Sequence, residues 1–462
     1  MGLILPGVEI KVVKEIVVGQ LNPGGVLGLV GFVEDQTEYK VARASTYKAL
    51  RERFGASIDA TLPTAKSAFI NGISEIVVTP IESRSAAKAT LELRTSEKSL
   101  RFTARSRGAW WNRLRASVQE RLGQPGTFRL VVSLGATTEV YDGLTVSQED
   151  EKNLAKVVSL QSDLVTLDVG DSRKKDDKSA SSGEMVEGSF AGGRGASPKD
   201  VERALERLES EEDVDLIAAE LEDYSKPEEV AEVHKLLEAH CKRMSDLCAN
   251  RIGLGSAPPS ELYRTADDEV EGIIKQRASM ASDRFIYCAP HGVAGAVAGL
   301  IGSIQPHVSP TYKEVSGLKS LSRNYSASQL KSLLQANVLV LEEKRGRGII
   351  VEKGICTSGE QISVQRTADR AVRGVKKISD AFIGTLNNSS GRVALKEKIT
   401  EYFIQMEREG AIVPSSDLKD ASFKVDVYAS DDDISKGIVR VDVAVRPVRA
   451  IDYIYGTILV RA

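Results

Sequence analysis

Residues able to do chemistry are sparse in this chain and poorly spaced for it. There are four histidines, His234, His240, His291 and His307, and four cysteines, Cys241, Cys248, Cys288 and Cys356. His240-Cys241 with Cys248 seven residues on is the nearest approach to a metal half-site. Zinc ligands come as CxxC or HxxxH-type pairs, and neither spacing supports this one, so ordinary helix packing is the preferred reading. Ala191 to Ser197 (AGGRGAS) precedes a helical pattern, where backbone N–H groups can cradle a phosphate. It lacks the GK[ST] ending that supplies a lysine and a magnesium ligand, and no strand runs directly into it, so a flexible crossing loop is favoured. Gly24-Gly25 and Gly28 precede or interrupt a strand instead of opening a helix, and a dinucleotide fingerprint fails with them. No GxSxG, paired carboxylates or Ser/His/Asp set stands out. The sequence therefore nominates no catalytic, metal or cofactor residue.

One charge pattern is more specific. Ser363 to Phe382 reads as an amphipathic helix with Ala368, Ala371, Val372, Val375, Ile378 and Phe382 on its apolar face. Arg366, Arg370, Arg373 and Lys377 recur as one stripe on it, with Lys376 beside them and only Asp369 and Asp380 opposing. Like charges at helical spacing repel, so the stripe either meets an acidic partner or is a solvated face.

The elements that must carry these residues form a chain of 462 residues, enough for two to four domains with real cores. Charged residues make up 27% and nearly cancel, at a formal net charge of -3, which gives no global case for nucleic acid or an anionic membrane. Four scattered cysteines indicate free thiols and a reducing compartment. The start, MGLILPGVEIKVVKE, lacks the apolar run of a signal peptide, and no stretch approaches the roughly 18 apolar residues of a membrane helix. The expectation is a soluble protein made in the cytoplasm.

In order, residues 1–25 read as an extended arm, with Val8, Ile10 and Val12 alternating before Asn22-Pro23-Gly24-Gly25. Residues 26–81 open an α/β core: a buried strand at Val26 to Val33, a helix from an N-cap Ser45 to its stop at Gly55, a second helix at Thr64 to Asn71, and a strand at Glu75 to Thr79. Residues 82–170 change to short alternating runs and read as an inserted β-rich domain. Residues 171–197 lose nearly all large apolar side chains and read as a flexible loop. Helix and strand alternate again through 198–305, which argues for an open, largely parallel sheet covered by helices. Gly292 to Ile304 is rich in small residues and would let a neighbouring backbone approach closely. Residues 306–446 form a C-terminal domain ending in a hairpin: Phe423 to Ala429, an acidic turn at Asp431-Asp432-Asp433, and Ile438 to Val445. Residues 447–462 read as a final strand, Ile451 to Val460, with both faces apolar. Bare, such a strand is a sticky edge, so something must cover it.

Several of these stretches, taken in order, resemble contractile tail sheath proteins of phages, R-type tailocins and related injection systems. PGVEI followed by GVLGLVGFVE looks like a sheath N-terminal arm and first core strand. ARSRGAWWNRL at Ala104 to Leu114 is similar to the family's "arg-x-pro-gly-x-trp-gly-asn" turn, with Arg107 and Trp111 where proline and glycine are usual. GAVAGL at Gly295 to Leu300, followed by Thr311-Tyr312-Lys313, resembles the central helix and the turn after it. VDVAVRPVRAIDYIYGTILV looks like the family's valine-rich strand, pro-val step and terminal strand.

The resemblance implies a fold and a role. It implies a mixed α/β core with an inserted β-rich domain and two strand arms that leave the subunit to extend neighbours' sheets. The arm residues would be Val8, Ile10, Val12, Ile451, Tyr453, Tyr455, Ile458 and Val460, and the receiving hairpin residues Val425, Val427, Val439, Val441 and Val443. Arg366, Arg370, Arg373 and Lys377 would face an acidic tube. The implied partners are further copies of the chain, an inner tail tube protein, and baseplate and tail terminator proteins, with no nucleic acid, membrane insertion or cofactor. Assembly would take place in the bacterial cytoplasm, into a virion or phage-tail-like particle. The rivals are a nucleotide- or metabolite-binding α/β enzyme with an inserted domain, and a capsid or tail-tube component, which would be mostly β.

Overall fold

The computed structural model describes residues 25–33, 41–83, 85–94, 98–121, 123–124, 126–135, 137–147, 149–171, 185–417 and 419–455. They fall into two compact units. One comprises the described residues of Gly24–Gln365 and Arg449–Ala462, the other Arg366–Val448.

In the larger unit the chain opens with β1 (Val26–Gly31), β2 (Ala42–Ala44), α1 (Tyr47–Phe54), α2 (Ile58–Thr61), α3 (Pro63–Ile70) and β3 (Glu75–Pro80). Thr46, not Ser45, caps α1 by accepting from Ala49 N, and Gly55 ends it at φ 83°. An insertion follows: β4 (Lys88–Arg94), β5 (Lys98–Arg107), β6 (Arg115–Glu120), β7 (Thr127–Leu134), β8 (Thr137–Thr145), α4 (Leu154–Gln161), β9 (Val165–Asp171) and β10 (Met185–Ser189). The α/β rhythm then returns with α5 (Pro198–Arg207), β11 (Leu216–Ala219), α6 (Pro227–Asp246), β12 (Ile252–Ser256), α7 (Ala266–Arg277), β13 (Phe285–Ala289), α8 (Ala294–Ser303), α9 (Ala327–Gln335), β14 (Leu339–Lys344) and β15 (Gly348–Val351).

Eight strands form one sheet in the order β15-β14-β13-β12-β11-β1-β3-β2. The pairs from β14 to β3 are parallel, and only the outermost pairs, β14 with β15 and β2 with β3, are antiparallel. Strands buried on both faces need apolar residues at every position. β1 meets this by alternation: Leu27 and Leu29 enter the cluster under α3 and α8, while Val26 and Val30 enter the one under α5 and α6. Each such fully buried side chain contributes about 1.5–3 kcal/mol.

The small-residue helix behaves as its composition suggests. A Cβ at Gly295 would stand 2.5 Å from the Thr64 carbonyl oxygen, and one at Gly299 would overlap that of Ala68, so α8 lies backbone to backbone on α3.

The insertion builds two sheets, β10-β6-β7-β8 and β4-β5-β9, around its own core with Trp111, Phe102 and Leu130 at the centre. Its outer limit differs from the sequence expectation. Residues 171–197 were expected as a loop, yet Met185–Ser189 pairs with β6 and Ala191 and Arg194 bridge to Thr90 and Ala87. An edge strand half open to water needs few apolar residues, which is why composition hid it. Residues 172–184 lie outside the described residues.

The boundary expected at 305/306 also moves. β14 and β15 join the eight-stranded sheet, and the division between units falls after Gln365. Parallel pairing of Leu339 and Val340 with β13 makes this segment part of the core, a long-range contact that local pattern does not encode.

Substituting Gly299→Ala should force α3 and α8 apart and cost about 1–3 kcal/mol, read as a lower urea midpoint at an unchanged slope.

Candidate functional site

Four local features shape the smaller unit: two helices, a hairpin and the short helix between its strands. α10 (Ile362–Asp380) contributes its residues from Arg366 onward, and α11 (Ser389–Arg408) starts on Asn388, whose side chain accepts from Gly391 N at 2.8 Å. β16 (Phe423–Tyr428) and β17 (Arg440–Val445) pair antiparallel, from Phe423 opposite Val445 to Tyr428 opposite Arg440. The expected acidic turn between them is a one-turn helix, α12 (Asp431–Ser435). Ser430 and Asp433 form its capping box, a spacing legible in the sequence as Ser-x-x-Asp.

Burial follows the alternation. Leu395, Ile399, Phe403 and Met406 of α11 meet Ala371 and Ile378 of α10, and Phe423, Val425, Val427, Val439, Val441 and Val445 pack onto them. Phe403 stacks between Tyr402 and Phe423, each ring centre 5.4 Å away. Tyr402 lies on Gly374, where a Cβ would overlap its ring, and its hydroxyl donates to the Arg370 carbonyl at 2.9 Å. Val443, opposite Val425, is instead exposed. Beside this pair a groove of about 510 Å³ runs between Lys396, Asp426 and Asp442.

A sheet of two strands has two edges, and an isolated hairpin is marginally stable on its own. Beyond β17, Arg446 N donates to Ser422 O, Val413 N to Arg446 O and Val448 N to Ala411 O, which ties the end of the hairpin to residues 411–413. The other end is clasped by Asp433, which accepts from Arg440 Nε and Nη2 at 3.0 and 2.9 Å. Arg440, then the Ser430 hydroxyl, hold the Asp433 carboxyl down at about 2.

The basic stripe is not a uniform open face. Arg366 is only 8% exposed, and Arg370 is half-buried and paired with Glu409 at 2.6 Å. Arg373 and Lys377 are half-buried, as Arg370 is.

In the larger unit, the chain after Val448 is anchored before it turns outward. Arg449 places Nη1 and Nη2 at 2.9 Å from the two Glu360 carboxylate oxygens. The Gln361 side-chain amide accepts from Ala450 N at 2.9 Å and donates to Ala450 O at 3.0 Å, the pairing a neighbouring strand would make. Its amide also reaches Asp452 at 2.8 Å. Lys353 lies 3.1 Å from the Tyr453 hydroxyl. Ile451, Tyr453, Ile454 and Tyr455 then stand 78%, 66%, 87% and 94% exposed. Among the described residues, 451–455 join no strand. Ile458 and Val460, like Val8, Ile10 and Val12, lie outside the described residues. Sequence reading missed the Glu360–Gln361 anchor because its partners are 89 positions away and carry no local signal.

Of the candidate chemical residues, His240 and Ser197 have structural partners. His240 Nε2 lies 2.9 Å from Arg251 Nη1, and because a guanidinium only donates, this nitrogen accepts and the ring is neutral. Burial, with Arg251 adding to it, pushes the His240 pKa down to about 3. Among the described residues, no group of three or more His, Cys, Asp or Glu side chains comes together to hold a metal ion. AGGRGAS ends at Ser197, whose capping box with Asp200 starts α5.

Comparison with known proteins comes from two directions. Residues 194–357 match the model of the phage tail sheath protein central domain, and residues 358–461 match that of the phage tail sheath C-terminal domain, an unbroken run over more than half of the chain. No curated protein sequence matches. Among solved structures, a sheath tail protein from Listeria innocua superposes with TM-score 0.54 at 16% identity, over 94% of both chains. The helical sheath of the anti-feeding prophage in its contracted state gives 0.57 at 13% identity, over 98% of both. The sheath of an extracellular contractile injection system, also contracted, gives 0.57 at 11%, over 99% of this chain and 98% of that one. At such identities the likeness is one of fold.

The Asp433 clasp should persist in acid. A depressed carboxyl contributes its stabilisation in full above the ordinary aspartate value of 3.8 and loses it as pH falls through about 2. An NMR titration of the Asp433 carboxyl carbon should therefore have its midpoint near 2, and a midpoint at 3.8 would mean that the clasp does not form.

Proposed function

This chain belongs to the phage tail sheath family, and we propose that it is a structural, non-enzymatic subunit that polymerises in a helical lattice around an inner tail tube. On triggering, the lattice contracts and drives the tube through a target envelope. The observation that carries this reading is the mismatch at the hairpin and the terminus. A two-stranded sheet offers free backbone edges, and an anchored segment presents Ile451, Tyr453, Ile454 and Tyr455 to solvent.

The two needs answer each other between copies. An extended segment added to the hairpin edge gains backbone hydrogen bonds, and side-chain alternation sets its register. In this reading Val425, Val427, Val439, Val441 and Val443 belong to the receiving hairpin, and Ile451, Tyr453, Tyr455, Ile458 and Val460 to the arriving arm, beside Val8, Ile10 and Val12 of another copy. Such a contact is heterologous, so it propagates into a filament instead of closing on itself. The Gln361 amide and the Arg449–Glu360 fork give the departing arm a fixed origin, and the arm keeps subunits connected while their compact units rotate and move outward as rigid bodies. The insertion lies on the outside of the lattice in this arrangement, where its sheets add bulk without entering strand exchange.

Arg373 and Lys377, with the rest of the stripe, supply the positive side that meets an acidic tube. Its structural neighbours include a helical sheath and an injection-system sheath, both contracted, and a chain of a baseplate structure. By analogy the partners of this chain are its own copies, the tube, the baseplate and a terminator. Assembly takes place in the bacterial cytoplasm, and the free energy of the stroke is stored in the extended lattice, with no nucleotide spent per subunit.

Electron microscopy of the purified full chain should show long tubes or stacked rings, whereas the chain ending at Val448 should stay in small species with an unchanged circular dichroism spectrum. Tubes from the truncated chain would remove the arm from the mechanism. Reversing the tube-side charges with Arg373→Glu and Lys377→Glu should reduce tube-bound, extended assembly at least tenfold while the subunit stays folded. Unchanged assembly on the tube would overturn the assignment of the stripe.

A further inference from the structure

The insertion joins the core through a narrow neck. Residues 82–88 leave the end of β3 and residues 190–197 return to α5, and these two paths are stitched together. Ala87 N donates to Arg194 O at 3.1 Å, and Arg194 N and Gly108 N both donate to Ala87 O at 3.2 Å. The Asn112 side chain donates to Gly193 O at 3.0 Å and accepts from Gly193 N at 2.9 Å.

Into this knot, from the core side, comes Glu222, in the loop after β11. Its Oε1 occupies space left by Gly108 and its Oε2 space left by Gly195, since a Cβ at either glycine would overlap the carboxyl group. Both oxygens are enclosed and lack a hydrogen-bond partner among the described residues. The backbone N–H groups of Ala109 and Ala196 favour the charged form but make no well-aligned bond, and burial outweighs them, with Asp223 acting in the same direction. Together these push the carboxyl up to about 8 from an ordinary 4.5.

Beside Glu222 lies a crevice of about 440 Å³ at the carboxyl ends of β1, β3 and β11. The charged groups around it come from every neighbouring element. The β11 loop supplies Glu220, which accepts from Thr64 N at 2.8 Å, and Asp223. The start of α6 supplies Lys226, paired with Glu229, and the returning chain supplies the exposed Arg194. Arg113 of the insertion acts on Asp223, and Asp200 of α5 is occupied by Ser197.

We propose that Glu222 is a proton-gated pin at the neck of the insertion: as the neutral acid it seats between Gly108 and Gly195 and closes the neck, and as the anion it turns into the crevice toward Arg194 and Lys226 and loosens the insertion on the core. The neutral form fits an enclosed site where the Ala109 and Ala196 N–H groups make no well-aligned bond to offset a buried charge. The anion would turn into the crevice that Arg194 and Lys226 also line. The device belongs to the subunit itself and stands independently of how subunits assemble.

The sign follows from linkage. Closed, the group holds its proton up to about pH 8, and open it titrates near 4.5, so closure takes up a proton and each unit rise in pH between these values favours opening by about tenfold. Hydrogen exchange on the full chain, corrected for the intrinsic pH dependence of exchange, reads this directly. Peptides covering residues 108–113 and 191–197 should lose protection about tenfold per pH unit from pH 6 to 8 and level off above, while peptides of β12 and β13 hold theirs. Glu222→Gln, a mimic of the neutral acid, should make the neck protected and flat with pH. The proposal is overturned if the wild-type neck is flat, if β12 and β13 lose protection with it, or if Glu222→Gln keeps the same slope. Should that variant fail to fold, the wild-type profile decides by the first two criteria.

Discussion

A β-strand carries a row of backbone donors and acceptors along each side, and leaving that row unanswered in a buried setting costs more than any single side-chain contact returns. The architecture of this chain follows from how that requirement is met in different places. In the eight-stranded sheet the requirement is met internally: parallel strands run side by side from β3 to β14, and the outermost strands turn antiparallel. The segment at residues 312–315 then covers β15, with Tyr312 N, Val315 N and Val351 N all engaged across that edge. The hairpin of β16 and β17 forms a sheet of two strands, and the helices cover one of its faces.

The same economy of backbone explains two features that look unrelated. α8 is made of glycine and alanine because its backbone lies against α3, and bulk there would separate the helices. Gly108 and Gly195 leave room for a carboxyl group from another segment, and Gly374 for the ring of Tyr402. In each case the absent side chain is the means by which two distant pieces of chain are held in register.

Much of the fold was legible in the pattern. The unbroken apolar runs at β1 and β3, the glycine stop at Gly55, the small-residue helix and the valine alternation in β16 and β17 are local signals, set by one period or one dihedral requirement, and each appears where expected. The candidate site was half legible. Alternation identified the hairpin, but the Ser430–Asp433 box was read as a turn, β10 was lost in a stretch without large apolar residues, and the Gln361 anchor left no trace. The stripe on α10 shows the limit from the other side: spacing put four cations on one face, and packing then buried Arg366 and tied Arg370 to Glu409.

The division is physical. Sequence alone determined the class of fold, the order of its elements and the presence of an apolar terminal segment, because periodicity, capping and turn chemistry act over a few residues. Tertiary structure alone decided where the core ends, which cations are engaged, how the last segment is anchored and that Glu222 sits in the neck. Those outcomes depend on contacts between residues tens to hundreds of positions apart, such as Glu222 against Gly108 or Arg449 on Glu360, and such contacts exist only once the chain has closed on itself.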